Sequence, residues 1–318
     1  MTASNDIVLV EDIVKDFRPG FGLRRKRVLH GISFRVREQE IFGFVGPNGA
    51  GKTTTLKILM GLIHATSGRT SILGHAVTET AFRRQIGFLP ENPYFYDYLT
   101  GREILIFYAK LSGVARSKRA ARVDELLGLV GLTDSAGARL RTYSKGMLQR
   151  IGIAQALVHD PQVVFLDEPM SGLDPLGRKD VRDLILRLRT QGKTVFMNTH
   201  ILSDVEMVCD RVAIIVAGRI RYEGAIDEVL DAGEPEADLV LAGLPADTAI
   251  ELEERFGAKL RGHGERIELR IAEKDASPAL RIALNAGAEV ISSIPHRVSL
   301  ESIFLNAVNE SKDEEASS

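Results

Sequence analysis

A single cysteine, Cys209, excludes an internal disulfide and suits a reducing compartment. It falls among Val205, Val208 and Val212, the setting of an inert buried thiol rather than of a nucleophile. An excess of one charge is missing too: 41 lysines and arginines meet 43 aspartates and glutamates, a formal net charge of -2. Nucleic-acid binding normally requires a basic surface, so none is expected. No apolar run reaches the ~20 residues that span a bilayer. The opening stretch, Met1 to Asp6, lacks the basic-then-apolar order of a secretion signal. A cytoplasmic location is therefore expected, with any membrane association coming through a partner. Internal repeats and low-complexity tracts are absent. Two local charge runs, Arg24 to Arg27 and Lys312 to Glu315, read as a solvated loop and a frayed tail.

What is present fits a globular chain: 44% hydrophobic and 26% charged residues over 318 positions can bury a sizeable core. At roughly 100–200 residues per domain, the length accommodates a full α/β domain plus a smaller one. Apolar runs with few charges predict buried strands at Ile7 to Val10, Ile41 to Val45, Val163 to Leu166, Thr194 to Met197 and Val212 to Val216. Helical patterns lie between them, among them Lys52 to Leu62 and Arg178 to Leu188. The alternation predicts an α/β core with a largely parallel sheet. Thr100 to His159 differs. Its patterns (Glu103 to Leu111, Arg119 to Val130, Gly146 to Val158) are all helical, which predicts a helical insertion over about 100–159 carrying Ser144 beside the core. Ala217-Gly218 reads as a hairpin turn closing this first domain, placed at 5–232, with a linker at Asp231 to Glu236.

The remainder, 237–308, reads as strand (Ala237 to Leu241), helix (Asp247 to Phe256), strands (Lys259 to Gly262, Arg266 to Ile271), helix (Ser277 to Ala286) and strand (Glu289 to Ile294). That order is the β-α-β-β-α-β split motif of a small ferredoxin-like α+β domain. A last helix, Leu300 to Val308, precedes an acidic tail, 309–318, expected to be disordered.

Three segments carry chemistry. Gly46-Pro47-Asn48-Gly49-Ala50-Gly51-Lys52-Thr53 fits G-x-x-x-x-G-K-[ST], after an apolar strand and ahead of a helix that continues through Thr54. Its glycines let successive N–H groups turn inward around phosphates, and the helix start adds positive potential. Lys52 should reach the β- and γ-phosphates, and the Thr53 hydroxyl should coordinate Mg²⁺. Asp167 and Glu168 follow a buried strand, at the edge where open α/β sheets bind ligands. Asp167 fits the Mg²⁺-holding acid. Glu168 fits a group that activates or orients an attacking water. His200, just past another strand, should face the same edge and contact either the γ-phosphate or Glu168. Tyr143 to Arg150 opens a helix with Ser144, whose free N–H groups can hold a second anion.

Taken in order, these segments resemble the ATP-binding cassette (ABC) ATPases over Ile7 to about Leu230, in particular stand-alone exporter-type subunits of ABC transporters. Gly46 to Thr53 is similar to their Walker A and Val163 to Glu168 to their Walker B with its catalytic glutamate. Ser171-Gly172-Leu173-Asp174 is similar to the D-loop, His200 to the switch histidine, and Tyr143 to Gln149 to the family signature. The resemblance implies a P-loop core with a helical signature subdomain, and ATP and Mg²⁺ as cofactors. It implies ATP contacts from Ser144, Gly146 and Gln149, a dimer contact from Asp174, and Phe17 as the aromatic that stacks on adenine; a core phenylalanine is the other reading of Phe17. It also implies a homodimer (or a dimer with a related ATPase) acting on membrane-spanning permease subunits on a separate chain, peripheral on the inner face of the cell membrane.

The sequence departs from the family pattern in three places. L-S-G-G-Q reads Tyr143-Ser144-Lys145-Gly146-Met147, so a lysine replaces a glycine near the phosphates. Glu91 stands where the family usually has glutamine; it can approach Mg²⁺ or water through oxygen but cannot donate as an amide does. The segment Arg18 to Arg27 is longer and more basic than a minimal turn. After Glu91, Tyr94, Tyr96 and Tyr98 crowd beside Phe95, either as interface anchors for a permease helix or as packing for the helical insertion. The rival function is a non-transport ABC ATPase acting on DNA or ribosomes. Such relatives carry coiled-coil arms or tandem cassettes, whereas this chain has one Walker A, no heptad arm and no basic excess. A P-loop kinase or GTPase would need a substrate- or guanine-reading motif in place of Ser144 to Gln149, and it has none.

Overall fold

The computed structural model describes residues 6–18, 25–231, 236–263, 266–296 and 300–316. It divides into two compact units, one reaching Ala225 and including the residues from Asn306 on, the other Ile226–Leu305.

In the first unit, β1 (Asp6–Phe17) and β2 (Lys26–Arg37) pair antiparallel, and β3 (Ile41–Val45) runs into α1 (Lys52–Leu59). Next come β4 (Ser67–Ile72), β5 (His75–Ala76) and β6 (Ile86–Leu89), then three helices, α2 (Gly101–Leu111), α3 (Arg116–Leu129) and α4 (Lys145–Ala156). The unit continues with β7 (Val163–Asp167), α5 (Pro175–Thr190), β8 (Thr194–Thr199), α6 (Leu202–Val208), β9 (Arg211–Val216) and β10 (Arg219–Ala225). The main sheet has the order β10-β9-β3-β8-β7-β6, parallel except for β10. Strands β3, β7 and β8 are buried at every position, as expected where both faces of a parallel sheet are covered. A second, antiparallel sheet, β2-β1-β4-β5, packs over it. Phe34 of β2 reaches Phe42 and Phe44 of β3 with ring centroids 5.7 and 5.2 Å apart, and Phe196 of β8 at 6.1 Å. That aromatic layer packs the two sheets against each other.

The local signals at element ends explain the helical region. Thr100 and Glu103 form a reciprocal capping box at α2, and Ser144 caps α4. Asp174 caps α5, with Pro175 in its first turn. Between β9 and β10, Ala217 (φ 46°) and Gly218 (φ 73°) form the two-residue left-handed turn that antiparallel hairpins favour.

The second unit contains α7 (Ile226–Asp231), β11 (Glu236–Ala242), α8 (Ala246–Phe256), β12 (Lys259–His263), β13 (Arg266–Ala272), α9 (Glu273–Asn285) and β14 (Glu289–His296). Its sheet is fully antiparallel in the order β12-β13-β11-β14, the ferredoxin-like arrangement of a split β-α-β motif. Leu239, Leu241, Leu252, Leu269 and Ile271 form its core.

Several expectations need correction. The unit boundary falls after Ala225, ahead of 232, because the edge strand β10 is the last element of the main sheet; residues 232–235 of the expected linker lie outside the described residues. The antiparallel sheet was not anticipated. Lys26 and Arg27, expected in a basic loop, begin β2, where Arg27 pairs with Asp16; residues 19–24 of that loop lie outside the described residues. The tail, expected disordered from 309, continues helix α10 (Leu300–Ala316). Its lysine, glutamates and alanine are good helix formers, and no glycine or proline interrupts them; residues 317–318 lie outside the described residues.

Candidate active site

The loop after β3 is shaped by its glycines. A side chain at Gly46 would collide with the Ile215 carbonyl, and Gly51 adopts φ 108° as the N-cap of α1. No side chain caps that helix, so its first-turn N–H groups remain available to an anion. Lys52 opens α1 and is buried; its Nζ donates to the carbonyls of Gly46 (2.7 Å) and Pro47 (3.3 Å). Burial lowers its pKa, with Glu168, Asp167 and Glu91 opposing that shift. The loop borders a pocket of about 370 Å³ lined by Val28, Asn48, Gly49, Gly51, Lys52, Thr53, Thr54, Glu91, Asp167, Glu168, Asn198 and His200. Gly46, Pro47 and Ala50 shape the loop from behind: Ala50 is buried, and its N–H donates to the Pro47 carbonyl.

The acidic wall is built from two adjacent parallel strands. Asp167 ends β7 directly opposite Asn198 of β8, whose Nδ2 donates to Asp167 Oδ1 at 2.5 Å. Burial raises the Asp167 pKa; the Asn198 hydrogen bond opposes that rise. Asn198 Oδ1 is buried without a hydrogen-bond partner. Sequence reasoning missed Asn198, since the apolar run it followed ended at Met197. Its only signal was a polar residue at a strand end, meaningful once β7 and β8 are known to be neighbours. Glu168 turns out of the strand with φ 50°, its N–H donating to the Asn198 carbonyl at 2.8 Å. Its Oε1 lies 2.8 Å from His200 Nδ1, and its Oε2 accepts from Thr199 Oγ1 at 3.3 Å. Of the two contacts open to His200, the one to Glu168 is therefore formed within the chain. Glu91 is exposed at the rim of the same pocket.

Ser144 and Gly146 line a different recess, of about 340 Å³, together with Lys145, Arg150, Gly172, Leu173, Asp174, Leu176, Gly177 and Asp180. Ser144 Oγ accepts from the Met147 N–H at 3.2 Å, and Asp174 Oδ1 from the Gly177 N–H at 2.7 Å. The Lys145 side chain runs across Gly172, where a Cβ would fall on its ammonium. Gln149, expected to contact ATP, is instead buried in α4 (4% exposed) and does not line the recess. It lies one turn into the helix, turned toward the core.

Phe17 is 39% exposed at the end of β1, which removes the core reading. It pairs with Lys26 of β2, two residues before Val28 in the pocket wall. Tyr94, Tyr96 and Tyr98 are 95%, 52% and 62% exposed, yet Tyr96 meets Phe107 of α2 edge-on at 5.8 Å, and Phe95 meets Tyr108 edge-on at 6.5 Å, so part of this aromatic cluster packs the helical region. Among the described residues no cluster of three or more His, Cys, Asp or Glu side chains could cage a metal, and no helix is long and apolar enough to cross a membrane.

The family model described as ABC transporter matches residues 29–171. An uncharacterized ABC transporter ATP-binding protein of Synechocystis is 43% identical over 316 residues, covering 96% of this chain and 85% of its own length. The linearmycin resistance ATP-binding protein LnrL of Bacillus subtilis is 33% identical, covering 89% of this chain and 94% of its own. A dimeric ATP-binding cassette solved in a post-hydrolysis state with ADP and Pi superimposes with TM-score 0.62 at 25% identity, covering 69% of this chain and 98% of that one.

Proposed function

The chain belongs to the family of ABC transporter ATP-binding proteins, and from that premise we propose that it is a Mg²⁺-dependent ATPase driving export through separate membrane-spanning subunits. Two copies, or one copy and a related ATPase, pair head-to-tail. Each ATP is then held by Lys52 and Thr53 of one copy and by Ser144 and Gly146 of the other. The assembly sits peripherally on the inner face of the membrane. The observation that carries this reading is Glu168, held 2.8 Å from His200 in the wall of the Lys52 pocket.

The steps assigned to the chain follow from that geometry. The α1 N–H groups and Lys52 bind the phosphates, and the Phe17 ring receives the base. Glu168, fixed by His200 and Thr199, accepts a hydrogen bond from the attacking water and aligns it with the terminal phosphate. Mg²⁺, when bound, neutralises charge on the β- and γ-phosphate oxygens. The residues present fit it. Mg²⁺ takes one or two protein oxygens plus phosphates and water rather than a full protein cage, and Thr53, Asp167 and Glu91 offer such oxygens beside the unpartnered Asn198 Oδ1. Closure around ATP would move the attached membrane subunits, since ATP favours the closed pair. The export direction is supported by LnrL, a relative named for linearmycin resistance.

The test is turnover in Glu168→Gln. Steady-state hydrolysis should fall by about 10²–10⁴-fold, the range for loss of a positioned acid–base group, while ATP still binds. Wild-type turnover in that variant would remove Glu168 from the mechanism.

A further inference from the structure

The Phe17 ring, 39% exposed at the end of β1, does not stand free. Lys15 and Phe17 are two residues apart on β1, so their side chains share one face of the strand. Lys15 Nζ lies over the Phe17 ring, 4.9 Å from its centroid. The same ammonium donates to the His64 carbonyl at 2.6 Å, in the segment between α1 and β4. Asp16, on the other face, accepts from Arg27 Nε at 2.8 Å, and its N–H donates to Thr66 Oγ1 at 2.9 Å. The backbone at the end of β1 is thus pinned from one side, and the ring is clamped from the other by a cation that is itself anchored.

We infer that Lys15 is a positioning residue for the nucleotide base: it holds Phe17 flat against its own ammonium and leaves the opposite ring face for stacking. The inference rests on the reading of Phe17 as the base platform given above. Two physical effects favour it. A ring with one face occupied loses much of its rotational freedom, so less order remains to be imposed when a base stacks. A cation on one face also withdraws negative potential from the other, which suits an electron-rich purine approaching there. The anchor has a further consequence. His64 follows α1, the helix that begins at Lys52, so Lys15 ties the base platform to the element that carries the phosphate loop.

The experiment uses the full chain and measures binding of MgATP and of Mg-tripolyphosphate, which lacks the base, to wild type, Lys15→Met, Lys15→Arg, Phe17→Ala and Lys15→Met/Phe17→Ala. Exposed cation–π pairs imply that Lys15→Met weakens ATP binding about two- to five-fold. It should leave tripolyphosphate binding and kcat unchanged. Lys15→Arg should restore affinity, because a guanidinium also stacks on rings. In the Phe17→Ala background, Lys15→Met should have no further effect. Equal loss for ATP and tripolyphosphate, or the same loss with Phe17 absent, would overturn the inference by making Lys15 a general electrostatic or structural residue. ATP affinity unchanged in Phe17→Ala would instead overturn the base-platform reading itself.

Discussion

Asn198 serves Asp167 much as His200 serves Glu168: each fixes a carboxylate that faces the pocket, from the end of the neighbouring strand β8 or the residue just beyond it. The lowest-level prediction concerns that pair. Asn198→Leu removes a hydrogen bond to a charged group, worth about 1.5–3 kcal/mol, and should reduce steady-state ATP turnover by about ten- to a hundred-fold. Unchanged turnover would make the 2.5 Å contact merely structural. Cys209 gives the opposite case. Burial pushes its thiol pKa well above the ordinary range, so almost no thiolate exists at neutral pH. Iodoacetamide should modify it only in denaturant; rapid alkylation of the native chain would contradict the burial. Residue identities at the site were largely legible because phosphate binding demands Lys52 and Thr53 at fixed spacing and Glu168 had to follow a buried strand. Asn198 was not, since its role depends on which strand lies beside β7.

Among the elements, the hairpin β9–β10 offers a clean stability test. Ala217 occupies a left-handed position better suited to asparagine, whereas a side chain at Gly218 would strike the Val28 carbonyl. Ala217→Asn should therefore raise the unfolding midpoint slightly, and Gly218→Ala should lower it by several degrees; the reverse order would mean the turn is of another kind. A second test lies where α3 meets the loop before β7. Arg122 donates to the Leu157 carbonyl, and Asp160 accepts from Lys193 at 2.7 Å. The Lys193 hydrogen bond lowers the Asp160 pKa in the folded state, so its stabilisation is present above the unfolded carboxylate pKa and lost as pH falls through the folded one. Because Asp160 is exposed, Asp160→Asn should cost under about 1 kcal/mol at pH 7. Urea unfolding at pH 7 and near pH 3 should show that difference shrinking in acid. Elements with one dominant period were readable: the parallel strands by unbroken apolar runs, the second unit by clear alternation. The antiparallel sheet was not, because the charged pairs Glu11-Asp12 and Lys15-Asp16 interrupt the alternation of β1 and β2 begins with Lys26-Arg27. Only the packing of Phe34 on Phe42 and Phe44 reveals that these charged segments cover the core.

For the whole molecule, the decisive feature is that one copy does not unite its own parts. Lys52, Asp167 and Glu168 line one pocket; Ser144, Gly146 and Asp174 line another. The exposed tyrosines belong to this scale as well. Tyr94→Ala should leave stability within about 0.5 kcal/mol, as for surface substitutions generally, and Tyr96→Ala should cost about 0.5–1.5 kcal/mol through its edge-on contact with Phe107, while both weaken recovery of the protein on membranes that contain its partner subunits. A collapse of soluble folding would make packing of the helical region their main role. The central claim is that ATP joins two copies through the Lys52 pocket of one and the Ser144 recess of the other. Light-scattering mass of Glu168→Gln in saturating MgATP tests it most directly. The account predicts the mass of two chains, returning to one on Ser144→Arg in the same background; a Glu168→Gln protein that stays a single chain in saturating MgATP would contradict it.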